Sequence, residues 1–143
     1  MKGGEGKRIP MAKVLIHADS KFPVNRRRIR RTIERVLTEK GAIGNMVVSV
    51  AVVGDRKMSL LNKHYTGSIG TTDVLSFPYT EDTGKLTPKG FITPKTEALQ
   101  LGDIVVSYPQ AIKQAIKENK LVDDKIDFLV EHGLNHLLGI HHD

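Results

Sequence analysis

Histidines crowd one end of this chain, and their spacing could hold a metal ion. Four of the six histidines fall in the last twelve residues, at His132, His136, His141 and His142. Imidazoles four residues apart on a helix stack on one face, as in the zinc-binding HExxH helix. Gly139 can adopt a left-handed conformation that turns the chain back, which would bring His141 or His142 to the same point. Three imidazole ligands leave a fourth zinc position for water, so the pattern predicts a catalytic type of site.

Two other interpretations of the histidines remain open at this stage. A pair four residues apart is often an ordinary surface feature, and a histidine-rich end can be a purification-tag remnant. The interleaved Gly and Leu pairs of "EHGLNHLLGIHHD" argue against a tag. A zinc peptidase is disfavoured, because Gly133 stands where its general-base glutamate belongs and Glu131 lies about 100° around the helix.

The composition predicts one folded domain over residues 11–143, preceded by a disordered arm over residues 1–10. The chain has 143 residues, 39% of them hydrophobic and 27% charged, as in an ordinary globular protein. It contains no cysteine, so any metal must be held by histidine and carboxylate. No secretory signal or bilayer-length apolar run is visible, and we expect a cytoplasmic protein with no membrane partner, assumed to be a monomer.

Positive charge is concentrated near the N-terminus. Residues 1–45 hold 12 Lys and Arg against 4 acids, whereas the whole chain has a net charge of +6. This asymmetry favours a phosphate-rich partner, with a solvated face as the alternative. The candidate RNA-binding residues share one predicted helix: Arg26, Arg27, Arg28, Arg30, Arg31 and Arg35.

Hydrophobic periodicity predicts an α+β fold, a single domain with a mixed four-stranded sheet packed by helices. The metal site would lie on the C-terminal helix and the turn after it. Strand directions stay open. We predict strands over residues 13–18, 46–53, 73–79 and 101–109, helices over 25–40, 55–65, 109–119 and 123–139, and a long loop over 80–100. The predicted N-caps are Asn25, Asp55 and either Asp123 or Asp124.

Three motifs, in order, resemble those of the YbeY family. "LNKHYTGSIGTTDVLSFPY" is similar to LNxxYRxxxxPTDVLSFP, "LGDIVVS" to LGDIxIS, and "HGLNHLLGIHH" to HGxLHLxGxDH. The resemblance implies a zinc-dependent endoribonuclease that cuts single-stranded RNA. It also implies a role in ribosomal RNA maturation, including processing of the 16S 3′ end, and in ribosome quality control. The implied partners are ribosomal RNA and the small ribosomal subunit.

Carried over by position, the metal ligands fall on His132, His136 and His142. His141 stands where the family has aspartate, so the choice between these neighbours stays open. Thr66 replaces the family's arginine. We expect Lys63 and His64 to substitute for it in part in catalysis, and reduced or lost activity is the alternative.

Four further residues are candidates to line the cleft: Thr72, Asp73, Ser76 and Asp103. Their alternatives are strand capping and packing or, for Asp103, a turn; as a site residue Asp103 would support a ligand histidine. Thr66 also keeps a second function open. The chain could be a non-catalytic ribosome assembly factor that binds RNA and is stabilised by its metal.

Overall fold

A computed structural model describes residues 10–42, 44–79 and 98–139. It contains four strands and four helices in these ranges, as one mixed sheet packed by helices, which confirms the α+β prediction. The elements are β1 (Pro10–Ala18), α1 (Arg26–Glu39), β2 (Gly44–Val53), α2 (Asp55–Thr66), β3 (Val74–Pro78), β4 (Leu99–Ser107), α3 (Tyr108–Glu118) and α4 (Val122–Leu137).

The sheet has the order β1-β2-β4-β3. The strands β1, β2 and β4 run parallel, and β3 joins the edge antiparallel to β4. Gly102 has a φ of +135°, and a side chain there would meet the carbonyl oxygen of Phe77 at 2.2 Å, so only glycine permits this close pairing.

Helices cover both faces of the sheet. The larger core packs α1, α3 and α4 against alternate residues of β2 and β4, among them Val50, Ile104 and Val106. The other face carries α2, which buries Met58 and Leu61 against the intervening residues. Because successive strand residues point to opposite faces, α2 and α4 are separated by the sheet. None of the described helices has the length and apolarity needed to span a membrane.

Local signals placed several helix ends correctly. The side chain of Asn25 accepts the N–H of Arg28 at 3.0 Å and caps α1, as predicted. Gly139 has a φ of +79°, the left-handed conformation expected after α4. The prediction for the start of α4 was wrong. Its cap is Leu121, and Asp123 and Asp124 lie inside the first turn, where negative charge is still favourable.

The ends of the chain and the long loop fall largely outside the described residues. Pro10, assigned to the disordered arm, begins β1, so the first strand starts three residues earlier than predicted. The rest of the predicted arm is not described. In the predicted 80–100 loop, only residues 98–100 are described, and β4 already begins at Leu99.

Candidate metal centre

The two helical histidines lie side by side on α4. Their ring centroids are 4.6 Å apart, with ring planes inclined by 44°. The opposite side of the helix is buried, with Val130 and Leu134 in the larger core. His132 is half-buried and His136 exposed, so the pair sits where the packed helix meets solvent. Packing of α4 therefore fixes the positions from which both imidazoles project.

Gly133 allows α4 to approach the sheet at this level. A Cβ at this position would lie 2.7 Å from Cγ2 of Ile104, closer than side chains tolerate. The glycine that argued against a peptidase thus has a packing reason. It lets the helix that carries both histidines lie close against β4.

The two imidazoles that the structure describes fit a transition-metal ion. Two imidazoles at this separation can share one cation, and imidazole suits zinc, nickel and copper. Within the described ranges, no cluster of three or more histidine, cysteine, aspartate or glutamate residues forms a metal site. His141 and His142, from which the third ligand is expected, lie outside those ranges. The structure therefore brings together two of the three predicted ligands.

Two arginines of α1 form ion pairs with carboxylates of α4, the helix that carries the histidines. Arg28 donates to both Asp124 and Asp127, and Arg35 Nη2 donates to Glu131 Oε1 at 2.6 Å. Burial raises the pKa of Asp127, while the Arg28 guanidinium acts in the opposite direction. Because the Glu131 carboxylate is bound to α1, it is poorly placed to act as a base beside its neighbour His132.

The six predicted RNA-binding arginines therefore divide into two groups. Arg28 and Arg35 bind acids of α4, and Arg26 donates to the Ile16 carbonyl oxygen at 2.7 Å. The other three are exposed and have no ion pair with another described residue. These free arginines are Arg27, Arg30 and Arg31.

The predicted substitutes for the family arginine lie on the other face of the sheet. Lys63 and His64 are exposed near the end of α2, and the His64 ring meets the edge of Tyr65 at 4.5 Å. Since α2 and α4 cover opposite faces, the structure does not bring Lys63 and His64 to the histidine pair. Thr66 Oγ1 donates to the Asn62 carbonyl oxygen at 2.6 Å and accepts the Ser68 N–H at 3.2 Å. Its hydroxyl thus helps to end α2.

The predicted cleft residues have different surroundings. Asp73 accepts Gln114 Nε2 at 3.0 Å, which ties the start of β3 to α3. Thr72 is half-buried in the adjoining loop. Ser76 is in register with Ile104, so it lies on the α4 side of the sheet. Of the four candidates, Ser76 is the one whose strand position faces the histidine helix.

Asp103 does not have either of its expected roles. It lies within β4, in register with Ser49 and Phe77, and points away from the face that Ile104 shares with α4. Burial raises the pKa of Asp103 to about 7. Its Oδ1 has no hydrogen-bond partner among the described residues. Asp103 is thus neither a turn residue nor a neighbour of His132, but a buried carboxyl on the α2 face.

Sequence reasoning missed two polar residues. Asn135 lies between the two histidines, is 6% exposed, and its Oδ1 is unpaired within the described part of the chain. An amide beside the apolar stripe of a predicted helix was the available signal. Asp55, predicted as the cap of α2, is instead its first residue after the Gly54 cap, and it accepts bonds from Thr71, Ser107 and Gln110. Burial tends to raise the Asp55 pKa, but these bonds leave it lowered, so the carboxylate holds the loop before β3.

The fold and site define an α+β protein with a candidate histidine metal centre and a cationic helix beside it. The chain belongs to the YbeY family, since the family model described as "Endoribonuclease YbeY" matches residues 15–143. This confirms the resemblance seen in the three motifs.

Several relatives bear the name endoribonuclease YbeY. The protein from Anaeromyxobacter sp. is 33% identical over 130 residues, 90% of this chain and 62% of its own length. That from Symbiobacterium thermophilum is 39% identical over 118 residues, covering 80% of this chain and 71% of the relative. That from Clostridioides difficile is 36% identical over 116 residues, with coverages of 81% and 71%. The chain thus spans between about three fifths and three quarters of these relatives.

A solved structure shows the same fold. The solution structure of TM1509 from Thermotoga maritima has a TM-score of 0.56 and 23% sequence identity. The similarity covers 92% of this chain and 75% of that one. At this identity the comparison supports the architecture alone.

Proposed function

We propose that this chain is a zinc-dependent endoribonuclease that cuts single-stranded RNA in the cytoplasm. Its substrate would be ribosomal RNA on the small subunit, in 16S 3′-end maturation and ribosome quality control. The observation that carries the proposal is the pair of imidazoles 4.6 Å apart on a packed helix, in a chain of the YbeY family. His132, His136 and a third histidine, His142 or His141, would hold the ion.

Each part of the site has a distinct task in this proposal. A zinc ion held by three imidazoles would supply hydroxide at neutral pH, either to attack the phosphodiester or to act as a base that removes the proton of the ribose 2′-OH. Gly133 lets the ligand helix pack closely, and the Arg28 and Arg35 pairs hold that helix against α1. These interactions restrict motion of the ligands, and ligand geometry of this kind is what a catalytic metal site requires.

RNA would be bound mainly through its phosphates. Arg27, Arg30 and Arg31 are exposed on α1, and arginine forks pair well with phosphate oxygens. Binding of single-stranded RNA should weaken with salt, and the log–log slope should change by about 0.7 for each phosphate that is no longer neutralised. Replacing these three arginines with glutamine should therefore weaken binding and flatten the salt dependence. Replacing Arg35 should affect the salt dependence less.

Metal analysis and an RNA cleavage assay test the proposal together. The protein is loaded with zinc and incubated with single-stranded ribosomal RNA fragments, with His136→Ala as the site variant. His64→Ala is the matched control, because it removes an exposed imidazole on the opposite face of the sheet. We expect zinc and cleavage to be lost in the first variant and kept in the second. Folded protein that binds no zinc would refute the metal centre.

A second function, RNA binding during ribosome assembly without cleavage, is favoured by Thr66. Its hydroxyl is engaged with Asn62 and Ser68, so no cation stands at this position. In that case the zinc ion would have a structural role and stabilise the C-terminal part of the chain. Tight RNA binding by the zinc-loaded protein without any cleavage would support this function over the nuclease.

A further inference from the structure

A cavity of about 620 Å³ lies on the α2 face of the sheet, at the ends of β1 and β2. Its lining includes Ala51 and Val53 of β2, and His17, which is in register with Ala51. One wall is α2 and the other is the turn between β1 and α1. Since α4 covers the opposite face, this cavity is separate from the histidine pair.

The cavity has a structural cause. On this face α2 packs over β2 and β4, where Met58 and Leu61 are buried against Val105. Strand β1 is at the sheet edge, beyond α2, so none of the described helices covers this face of the sheet beside β1. Phe22, which contributes to the lining, stacks on Tyr108 of the larger core with a centroid distance of 5.0 Å. The cavity is therefore a consequence of the packing of α2 and not of a displaced side chain.

Cations predominate around the opening. Lys21, Arg56 and Lys57 line it together with one carboxylate, Asp19. Asp19 Oδ1 accepts the backbone N–H of Lys21 at 3.0 Å and so stabilises the turn. The side chains of Lys21 and Arg56 have no ion pair or hydrogen bond with other described residues. Positive charge at this opening is thus available to an anion.

The interior of the cavity is apolar. Ala51, Val53, Phe22 and Leu60 contribute to its lining, and Leu60 is 63% exposed on the α2 wall. Ligand pockets typically measure about 300–1,000 Å³ and combine apolar walls with a few polar groups. The volume and the separation of apolar and cationic parts suit a ligand with a flat apolar body and an anionic end.

We propose that this cavity binds a phosphorylated nucleoside, with the base against Leu60 and the β2 floor and the phosphate beside Lys21 and Arg56. The proposal deepens the proposed function, because an RNA nucleotide is one source of this chemistry and a free nucleotide the other. The turn that forms one wall leads directly into α1, where Arg26 is bonded to the end of β1. RNA that passes around this end of the sheet from Arg27, in the first turn of α1, would reach the cavity.

Titrations followed by amide chemical shifts test the proposal in the His136→Ala background, where RNA stays intact. The probes are AMP, adenosine, inorganic phosphate and a short single-stranded RNA. We expect AMP to shift the amides of Gly54 and Leu60, and adenosine or phosphate alone to bind more weakly, since each lacks half of the ligand. Lys21→Glu with Arg56→Glu should weaken AMP binding by about tenfold or more.

The matched control is Lys40→Glu with Lys117→Glu, which changes net charge equally at exposed positions after α1 and on α3 and spares Lys113, whose charge acts on Asp55 next to Arg56. This pair should change AMP affinity by less than about twofold, because distant exposed charges are screened. An equal loss in the control would overturn the proposal, because it would show general charge attraction. Absence of shifts at Gly54 and Leu60 with both AMP and RNA would also overturn it.

The remaining outcomes identify the source of the ligand and separate this site from the nuclease proposal. RNA that displaces AMP identifies an RNA nucleotide as the ligand, and AMP that RNA cannot displace identifies a free nucleotide. AMP binding needs no zinc, so failure of zinc binding or cleavage leaves the shifts intact. Conversely, cleavage by wild-type protein whose cavity binds no probe would refute the cavity alone.

Discussion

Replacing Gly133 with alanine tests how closely α4, which carries His132 and His136, packs against the sheet. The new methyl carbon would lie 2.7 Å from Ile104 Cγ2 and 3.3 Å from Cγ1. Carbon atoms pack best at about 3.5–4.0 Å, so α4 or Ile104 must move by about 1 Å. Ile104 is fully buried, which leaves the side chain little room to yield. The substitution should therefore displace the segment between His132 and His136.

The size of the effect follows from two opposing contributions. Overpacking a well-filled core costs about 1–3 kcal/mol, and alanine in place of glycine stabilises a helix interior by about 1 kcal/mol. We expect the free energy of unfolding to fall by up to about 2 kcal/mol, measured by urea denaturation. Zinc affinity, measured by competition with a chelator, should fall as well.

A double-mutant cycle with Ile104→Ala isolates the close approach of the two elements. Ile104→Ala alone should cost about 2–5 kcal/mol, because it opens a cavity in the core. In that background the methyl group introduced on α4 has space, so Gly133→Ala should become neutral or stabilising. The expected coupling is about 1–3 kcal/mol in favour of the double variant. A stabilising Gly133→Ala in the wild-type background, or the same effect in both backgrounds, would refute the close approach of α4 to β4.

Three further experiments test other parts of the structure. Arg28→Leu should lower the free energy of unfolding by about 1–3 kcal/mol because it leaves the half-buried Asp127 unpaired, whereas Arg35→Leu, in an exposed pair, should cost less than about 1 kcal/mol. Asp103→Asn should stabilise the protein more at pH 8 than at pH 5, as measured by urea denaturation at each pH. Thr66→Arg should leave the rate of RNA cleavage nearly unchanged, because α2 and the histidine pair lie on opposite faces of the sheet, while removal of the threonine hydroxyl's hydrogen bonds costs about 0.5–1.5 kcal/mol.

The sign of the Asp103 effect follows from its pKa of about 7 in the fold. An aspartate in an unfolded chain has a pKa of about 3.9. Since the folded state binds this proton more tightly, stability is lost as the pH rises from about 4 to 7, by at most about 4 kcal/mol, and is level above that. Asparagine cannot ionise and avoids this loss. An advantage of Asp103→Asn that is independent of pH would contradict the raised pKa.

The arginine comparison and the Thr66 experiment have equally clear counter-results. Equal costs for Arg28→Leu and Arg35→Leu would show that burial does not distinguish the two ion pairs. For Thr66→Arg, a large rise in the cleavage rate of a folded variant would show that residue 66 reaches the reacting phosphate and that the natural threonine limits activity. Complete absence of cleavage in both proteins would instead favour the assembly-factor function.

Local chemistry made the helices and the histidine face predictable. The Asn25 cap, the apolar stripe of α1 and the stop at Gly139 depend on residues within one or two turns of each other. The side-by-side position of His132 and His136 depends only on the helical period. Such features can be derived from sequence because no distant part of the chain decides them.

Long-range pairing made the rest unpredictable. Propensity does not give strand order or direction, so it could not show that α2 and α4 lie on opposite faces. That single fact removes Lys63 and His64 from the histidine pair. The same uncertainty applies to Asp103. Which face of the sheet a strand residue points to depends on register, so the sequence could not show that Asp103 lies on the α2 face.

The division of the arginines changes how the charge asymmetry of the chain is explained. The excess of positive charge near the N-terminus suggested one surface for a phosphate-rich partner. In the fold, Arg28 and Arg35 meet carboxylates from the acidic C-terminal part, so part of the asymmetry joins α1 to α4. The acid bound by Arg35 is Glu131, the residue directly before His132. The same helix therefore presents free arginines to solvent and holds the helix of the candidate metal centre in place.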